Sequence, residues 1–147
     1  MASFKGSYKF TLDHKGRVNI PAKLRRATAG SSYDTFVITR GLEECLFVFA
    51  LDQWEKIEEK LQGLSFTQAA HRLFIRILLS NACDSILDRQ GRITIPQNLL
   101  SLAKINKDVL IIGALQRIEI WNPEIFENYL KQADQTYEQV AEKILFL

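Results

Sequence analysis

Apolar and polar residues alternate at the start of the chain, where Tyr8, Phe10 and Leu12 share one face of the segment "SYKFTL". A two-residue period is typical of a half-buried strand. A second alternating stretch follows after a short interruption. Its inner face carries two aliphatic residues and its outer face two polar ones, namely Val18 and Ile20 against Arg17 and Asn19. The pattern therefore predicts two strands joined by a turn.

The interruption between these strands has the composition of a tight turn. Asp13 and Gly16 suit the first and fourth positions of a type I turn, where aspartate caps backbone donors and glycine accepts a positive φ. Pro21 ends the second strand and suits the first turn of a helix, because its missing N–H costs nothing there. Gly30 is the predicted end of that helix.

The whole arrangement recurs 75 positions later, from Asp88 onward. Both copies read Leu-Asp-x-x-Gly-Arg-aliphatic-x-Ile-Pro, so Gly91 and Pro96 take the places of the first turn glycine and proline. In the second copy Ile93 and Ile95 face inward, and Arg92 and Thr94 face outward. The similarity continues in order, with "TFVIT" matched by "VLIIG", "LFVF" by "IEIW", and "DQWEKIEEKL" by "NPEIFENYLKQA". The chain is therefore an internal duplication.

Helical spacing of apolar residues predicts further elements after each second strand pair. One helix includes Trp54, and the next carries an inward apolar face formed by Leu73, Phe74, Ile77 and Leu78. A single last helix begins at Asn122 and Pro123 and continues along an apolar seam to the chain's end. Packing of that seam on the chain's own core is favoured over a partner surface.

Composition excludes several classes of protein. The 147 residues are 47% hydrophobic and 24% charged, as in an ordinary globular protein. No apolar run approaches the roughly 20 residues that span a bilayer, and no signal peptide is evident, so we expect a cytoplasmic protein without a membrane partner. Cys45, Cys83, His14 and His71 are isolated. We therefore expect no metal site, no cofactor and no catalytic residue.

Charge is unevenly distributed although the net charge is only +2. Residues 12–26 contain five basic residues and one acidic residue, whereas residues 122–147 contain two basic and five acidic residues. Turn geometry explains the aspartate, glycine and proline of each motif, but it does not require the arginine that follows each glycine. Asp13 and Asp88 are placed to hold the guanidinium groups of Arg17 and Arg92 by paired hydrogen bonds. The uneven distribution of charge along the chain indicates a surface that faces a polyanion.

These residues resemble those of a known family, the MraZ transcriptional regulators of bacteria, within the AbrB-like swapped-hairpin barrels. The resemblance rests on "DHKGRVNIPAKLR", "TRGLEECLFVF" followed by Trp54, "RLFIRILLSNA" and "DRQGRITIP". It implies an α+β fold in which two tandem AbrB-like hairpin and helix repeats interleave into a pseudo-twofold swapped-hairpin β-barrel with flanking helices. The expected units are repeat 1 at 7–54, connecting helices at 55–81, repeat 2 at 82–125 and a C-terminal helix at 126–147.

The resemblance also implies a function. Members of the family form closed homo-oligomeric rings, such as octamers, which bind short direct repeats in double-stranded DNA upstream of the division and cell-wall gene cluster and repress that cluster and themselves. A nucleoid-associated repressor that regulates its own gene is therefore expected. The D-x-x-x-R segments supply the DNA-facing surface. Transferred to this sequence, the DNA-binding residues are Asp13, Lys15, Arg17, Asp88, Arg89 and Arg92, with Lys23 and Arg25 beside them, whereas Gly16, Gly91, Pro21 and Pro96 serve the fold.

The two copies differ in the helix that follows the proline. Where the first copy has Ala22, Lys23 and Arg25, the second has Gln97, Asn98 and Leu100. We therefore expect the two halves to bind DNA unequally, with the first copy contributing more.

Two other classes of function are open to this sequence. A ring without DNA specificity explains the duplication and the long helices but leaves the basic turns unexplained. An enzyme could use Asp13 and Asp88 as a proton-sharing pair across a pseudo-twofold axis. Each aspartate is followed by basic residues, however, and a nearby arginine lowers an aspartate pKa rather than promoting proton sharing.

Overall fold

The computed structural model describes residues 3–26 and 34–145, and Gly30, the predicted end of the first helix, lies outside these ranges. The described residues form eight strands and six helices. The strands are β1 (Phe4–Thr11), β2 (Arg17–Asn19), β3 (Thr35–Arg40), β4 (Leu46–Ala50), β5 (Cys83–Ile86), β6 (Arg92–Thr94), β7 (Asp108–Leu115) and β8 (Ile118–Trp121). The helices are α1 (Ala22–Arg26), α2 (Leu51–Gln62), α3 (Ala69–Ser80), α4 (Gln97–Leu102), α5 (Pro123–Lys131) and α6 (Tyr137–Leu145).

Strands from the two repeats are interleaved in one antiparallel sheet with the order β1-β7-β8-β4-β3-β5. The first strand of repeat 1, β1, pairs along its full length with β7 of repeat 2, and β5 of repeat 2 pairs with β3 of repeat 1. The fourth strands of the two repeats, β4 and β8, pair with each other at the centre. Each repeat therefore completes the sheet of the other, as interleaving requires.

The short strands β2 and β6 form a separate two-stranded antiparallel sheet. Val18 and Ile20 of the first repeat and Ile93 and Ile95 of the second are buried in the same core as the large sheet. Their predicted inward orientation is confirmed. Among the described strands, β1 and β5 form the two edges of the large sheet and do not pair with each other. The architecture is thus a mixed α+β fold with a large open antiparallel sheet, and the described strands do not close into a hydrogen-bonded barrel.

The prediction of one continuous C-terminal helix is wrong. The helix starts as expected, with the Asn122 side chain accepting backbone hydrogen bonds at the N-terminus of α5, but α5 ends at Lys131. A second helix, α6, begins with a reciprocal N-terminal cap. The Gln139 backbone N–H donates to Thr136 Oγ1 at 3.1 Å, and the Thr136 N–H donates to Gln139 Oε1 at 3.0 Å. This Thr-x-x-Gln capping box stops the seam from continuing as a single helix.

The predicted inward faces of the later helices are also largely wrong. On α3 only Leu78 is buried, while Leu73 is 60% exposed and Phe74 is 46% exposed. Helix α6 has no buried residue, and Tyr137 is 83% exposed. Apolar periodicity identified these helices correctly, but the described part of one chain leaves these apolar faces uncovered.

The interleaved sheet predicts that neither half folds alone. Fragments 1–79 and 80–147 should each be unfolded or self-paired, because β1, β3, β5 and β7 lose their cross-repeat partners and expose apolar faces. Mixing the two fragments should restore cooperative unfolding by circular dichroism, as in the intact chain. A cooperative transition of either fragment as a monomer would contradict the interleaving.

Candidate nucleic-acid interface

The first turn folds as its sequence predicts. Gly16 N–H donates to the Asp13 carbonyl at 3.1 Å, and Lys15 N–H donates to Asp13 Oδ1 at 2.9 Å. Gly16 takes a φ of 74°, which favours glycine over any residue with a Cβ. The second turn repeats these bonds, with Gln90 N–H on Asp88 Oδ1 at 2.9 Å and Gly91 at a φ of 76°.

Each turn aspartate also holds the arginine that follows its glycine. Arg17 Nε donates to Asp13 Oδ2 at 2.6 Å, and Arg92 Nε donates to Asp88 Oδ2 at 2.8 Å. The backbone N–H of each arginine donates to the other oxygen of the same carboxylate at 2.9 Å. One carboxylate therefore fixes both the turn and the direction of the arginine side chain. The predicted tethers form, but each consists of one guanidinium and one backbone hydrogen bond and not of two bonds from the guanidinium.

The antiparallel β2–β6 pair joins the two turns, which lie at opposite ends of this short ladder. In the β2–β6 pair, Val18 lies opposite Ile93 and Asn19 opposite Arg92. The strand ends form two hydrogen bonds across the pair. Ile20 N–H donates to the Gly91 carbonyl and Ile95 N–H donates to the Gly16 carbonyl, both at 2.9 Å. Arg92 Nη1 also reaches Asp13 Oδ2 at 3.5 Å, so an ion pair links the second turn to the first. The 75-residue separation in sequence becomes direct contact in space.

The tethers lower the pKa of both aspartates. Partial burial raises the pKa of Asp13, but hydrogen bonds from the Arg17 backbone and guanidinium and from the Lys15 backbone outweigh burial and hold the pKa at about 2. The Arg92 backbone N–H is the largest influence on Asp88, and it lowers the pKa of that carboxyl against the effect of burial. In a proton-sharing pair one pKa is raised, so these turns have the opposite electrostatics.

The remaining predicted residues surround the turns in different environments. Lys15 and Lys23 are exposed, as is Arg89, whereas Arg25 is half-buried. Arg25 Nε donates to the Ile20 carbonyl at 2.9 Å. Pro21 and Pro96 immediately precede α1 and α4, as predicted for helix starts.

Two polar residues that sequence reasoning missed also hold this region together. Asn19 Nδ2 donates to the Gln90 carbonyl at 3.0 Å, so a side chain of repeat 1 binds the turn of repeat 2. The Thr94 N–H donates to Ser85 Oγ, a buried hydroxyl on β5, at 3.0 Å. Asn19 was recognisable only as an outward strand residue, since its partner is 71 positions away in sequence.

The other candidate chemistry is sparse. Within residues 3–26 and 34–145, no group of three or more His, Cys, Asp or Glu side chains is placed to hold a metal ion. Burial raises the pKa of the Cys45 thiol to about 12, and burial followed by the Asp84 charge raises that of Cys83. None of the described helices is both long and apolar enough to cross a membrane.

The interleaved sheet and its two tethered turns define a class: a duplicated α+β protein that presents a paired Asp-Arg surface. Comparison with known sequences agrees with the duplication, because the family model "MraZ protein, putative antitoxin-like" matches twice, at residues 3–77 and 78–147. The chain belongs to the MraZ family.

Individual relatives match the chain over nearly its whole length. It is 44% identical to a protein of Natranaerobius thermophilus, with 97% of this chain and 96% of that protein covered. It is 47% identical to one of Caldanaerobacter subterraneus subsp. tengcongensis over 95% and 94% of the two chains. A protein of Desulfitobacterium hafniense is 42% identical, with 98% of both chains covered. All three relatives are named "Transcriptional regulator MraZ".

The lowered aspartate pKa values predict acid sensitivity. Because the folded pKa of Asp13 is about 2 and its ordinary value is 3.8, the tether stabilises the fold above pH 3.8, and this stabilisation is lost as the pH falls through about 2. In Asp13→Asn, the free energy of unfolding in urea should fall less steeply between these pH values. Carbon NMR should show that the Asp13 carboxyl titrates with a pKa near 2. A pKa near 3.8 would refute the tether.

Proposed function

We propose that this chain is a sequence-specific DNA-binding transcriptional regulator, whose two D-x-x-x-R turns bind short direct repeats and which represses the division and cell-wall gene cluster together with its own gene. The observation that carries the proposal is the pair of adjacent, acid-tethered arginines, Arg17 and Arg92, on one surface. The names of its relatives support a role in transcription. A cytoplasmic, nucleoid-associated protein follows from that role.

The geometry of Arg17 suits binding of an external anion. Its Nε is occupied by Asp13, and its terminal Nη groups contact no acceptor among the described residues. A guanidinium fixed through Nε loses little conformational entropy on binding, and its Nη groups match a phosphate or the acceptor edge of guanine. The tether therefore fixes the direction of the arginine side chain and leaves its terminal nitrogens for DNA.

Neighbouring charges favour a polyanion. Lys15 in the first turn and Arg89 in the second are exposed, and α1 carries two further exposed cations, Lys23 and Arg26. Lysine and arginine contacts to phosphates position a protein on the duplex, whereas contacts to base edges specify sequence. The lysine and arginine side chains of the two turns suit both kinds of contact, to phosphates and to base edges.

A structural ring without DNA specificity is the competing function. It accounts for the exposed apolar helices but gives no role to two tethered arginines with an adjacent exposed cation in each turn. Footprinting on the DNA immediately upstream of the chain's own gene separates the two functions, because only a specific regulator protects a defined set of repeats.

Removing either turn arginine should weaken binding to that upstream duplex. If Arg17 contacts a phosphate, Arg17→Ala should lower the slope of log affinity against log salt by about 0.9. If it reads a guanine edge, the loss should depend on sequence and amount to roughly 1–3 kcal/mol per contact. Arg92→Ala should also weaken binding. Titration on upstream and scrambled duplexes at two salt concentrations measures these effects.

Lys131→Ala is the matched control, because Lys131 is an exposed cation on α5 in the acidic part of the chain. It should bind both duplexes like the parent. If Arg17→Ala and Arg92→Ala, in stable and correctly assembled protein, also bind like the parent, the turns serve only the fold and the proposed mechanism is wrong.

The exposed helices support a further part of the proposal, assembly into a closed homo-oligomeric ring. An apolar groove of about 440 Å³ lies between α2, α3 and the β3–β4 connection, lined by Leu42, Phe47, Ile57, Leu61, Phe74 and Ile77. Helix α6 presents Tyr137, Ile144 and Leu145 to solvent elsewhere on the same chain. Two different apolar patches on one chain suit head-to-tail contact, which closes into a ring when the rotation between copies allows it.

Light scattering should therefore report a mass well above the 16.9 kDa of one chain. Phe74→Arg, which places a charge in the apolar groove beside α3, should lower that mass because a charge is costly to bury in an interface. A parent protein that remains monomeric across micromolar concentrations would contradict the ring.

A further inference from the structure

Arg25 belongs to the first repeat but lies against the turn of the second. A methyl group added at Gly91 would lie only 2.7 Å from Arg25 Cζ and 2.8 Å from its Nη1, so the guanidinium rests directly on this glycine. Arg25 Nε donates to the Ile20 carbonyl at 2.9 Å, and Ile20 N–H donates to the Gly91 carbonyl at 2.9 Å. Arg25 is thus joined to the second turn both by direct packing and through Ile20.

The first turn has a different support. A methyl group added at Gly16 would lie 3.5 Å from Leu100 Cδ1, in ordinary van der Waals contact. Leu100 is a buried residue of α4 and stands at the position in repeat 2 that Arg25 holds in repeat 1. The helix of each repeat therefore supports the turn of the other repeat. One turn rests on a cation, and the other rests on an aliphatic side chain.

Polar contacts follow the same asymmetry. The second turn also receives the Asn19 Nδ2 hydrogen bond on the Gln90 carbonyl, from the strand that precedes α1. The corresponding residue of β6 is Thr94, whose side chain makes no hydrogen bond to the first turn among the described residues. The first turn instead receives Arg92 Nη1 on Asp13 Oδ2, at the longer distance of 3.5 Å. Repeat 1 consequently holds the second turn with two side chains, Asn19 and Arg25.

We propose that Arg25 is a positioning residue for the second DNA-facing turn, and that it makes this turn, with Arg89 and Arg92, the stronger DNA-binding element of the two. The inference rests on the proposed function. It reverses the expectation from sequence order, because interleaving moves the basic helix α1 away from the turn that precedes it in the chain. Arg92→Ala should therefore lower DNA affinity more than Arg17→Ala.

Hydrogen exchange in the DNA-free protein tests the positioning role. Arg25→Leu, which installs the residue found at this position in repeat 2, should accelerate exchange of the Gly91 and Ile20 amides by about threefold to tenfold, the equivalent of one lost hydrogen bond. The Gly16 amide should not change. Arg25→Lys retains the charge without the planar guanidinium, so it should protect Gly91 less well than arginine does.

Lys23→Ala is the control, since it removes an exposed cation from the same helix without touching Gly91. It should leave the exchange rates of the Gly16, Ile20 and Gly91 amides unchanged. Equal acceleration of Gly16 and Gly91 in Arg25→Leu, or acceleration of neither, overturns the positioning role.

The second part of the proposal, that Arg25 strengthens DNA binding by the second turn, is tested by the affinity for duplex DNA from immediately upstream of the chain's own gene. Combining Arg25→Leu with Arg89→Ala should give a loss that differs from the product of the single losses by about threefold or more, because residues that share a local structure act non-additively. Combining it with Lys15→Ala, the exposed cation of the first turn, should give the simple product.

The outcomes separate the inference from the proposed function. If Arg17→Ala and Arg92→Ala weaken binding but Arg25→Leu couples equally to both turns, or if Arg17→Ala costs more than Arg92→Ala, the inference is overturned and the proposed function stands. If the assembled parent protects no upstream DNA while Gly91 exchange still rises in Arg25→Leu, the proposed function fails and Arg25 retains only its positioning role.

Discussion

The pairing of β1 with β7 is the interaction on which the rest of this fold depends. Among the described strands, β1 has no neighbour from its own repeat in the large sheet, so its ladder hydrogen bonds are made with β7 of repeat 2. Unpaired buried backbone groups are costly, and a hairpin alone is only marginally stable in water. The same constraint applies in reverse to β5 on β3. Neither repeat can reach its final conformation without the other.

This exchange of strands also creates the candidate site. Strands β2 and β6 each follow a strand that pairs with the opposite repeat, and their antiparallel pairing joins the two turns at opposite ends of one short ladder. Buried Val18 and Ile93 fix the register of this small sheet, because a shift of one strand by one residue would turn its apolar side chain away from the core. The arginines that follow the two turns are therefore positioned by the hydrophobic core, while the carboxylates set their local direction.

Local chemistry was predictable from sequence wherever interactions are short in range. The Asp13 to Gly16 turn, its tether to Arg17 and the inward faces of β2 and β6 follow from residues within five positions of one another. The break between α5 and α6 was predictable in principle, because Thr136 and Gln139 form a capping box. The apolar spacing continues across this break, however, and by itself predicts a single helix. Periodicity identifies an apolar helix face without identifying what covers it, which explains the exposed face of α3.

Contacts between repeats were beyond the reach of the linear motif. Nothing in "IPAKLR" indicates that its arginine rests on a glycine 66 positions later, since that contact exists only after the strands have been exchanged. Reading the motif in order assigns α1 to the turn beside it, whereas the fold assigns α1 to the other turn. A duplicated chain differs here from a homodimer of single repeats, in which twofold symmetry makes both turns identical. In a covalently joined pair of repeats the two positions are independent, so Arg25 and Leu100 give the two turns different supports within one scaffold.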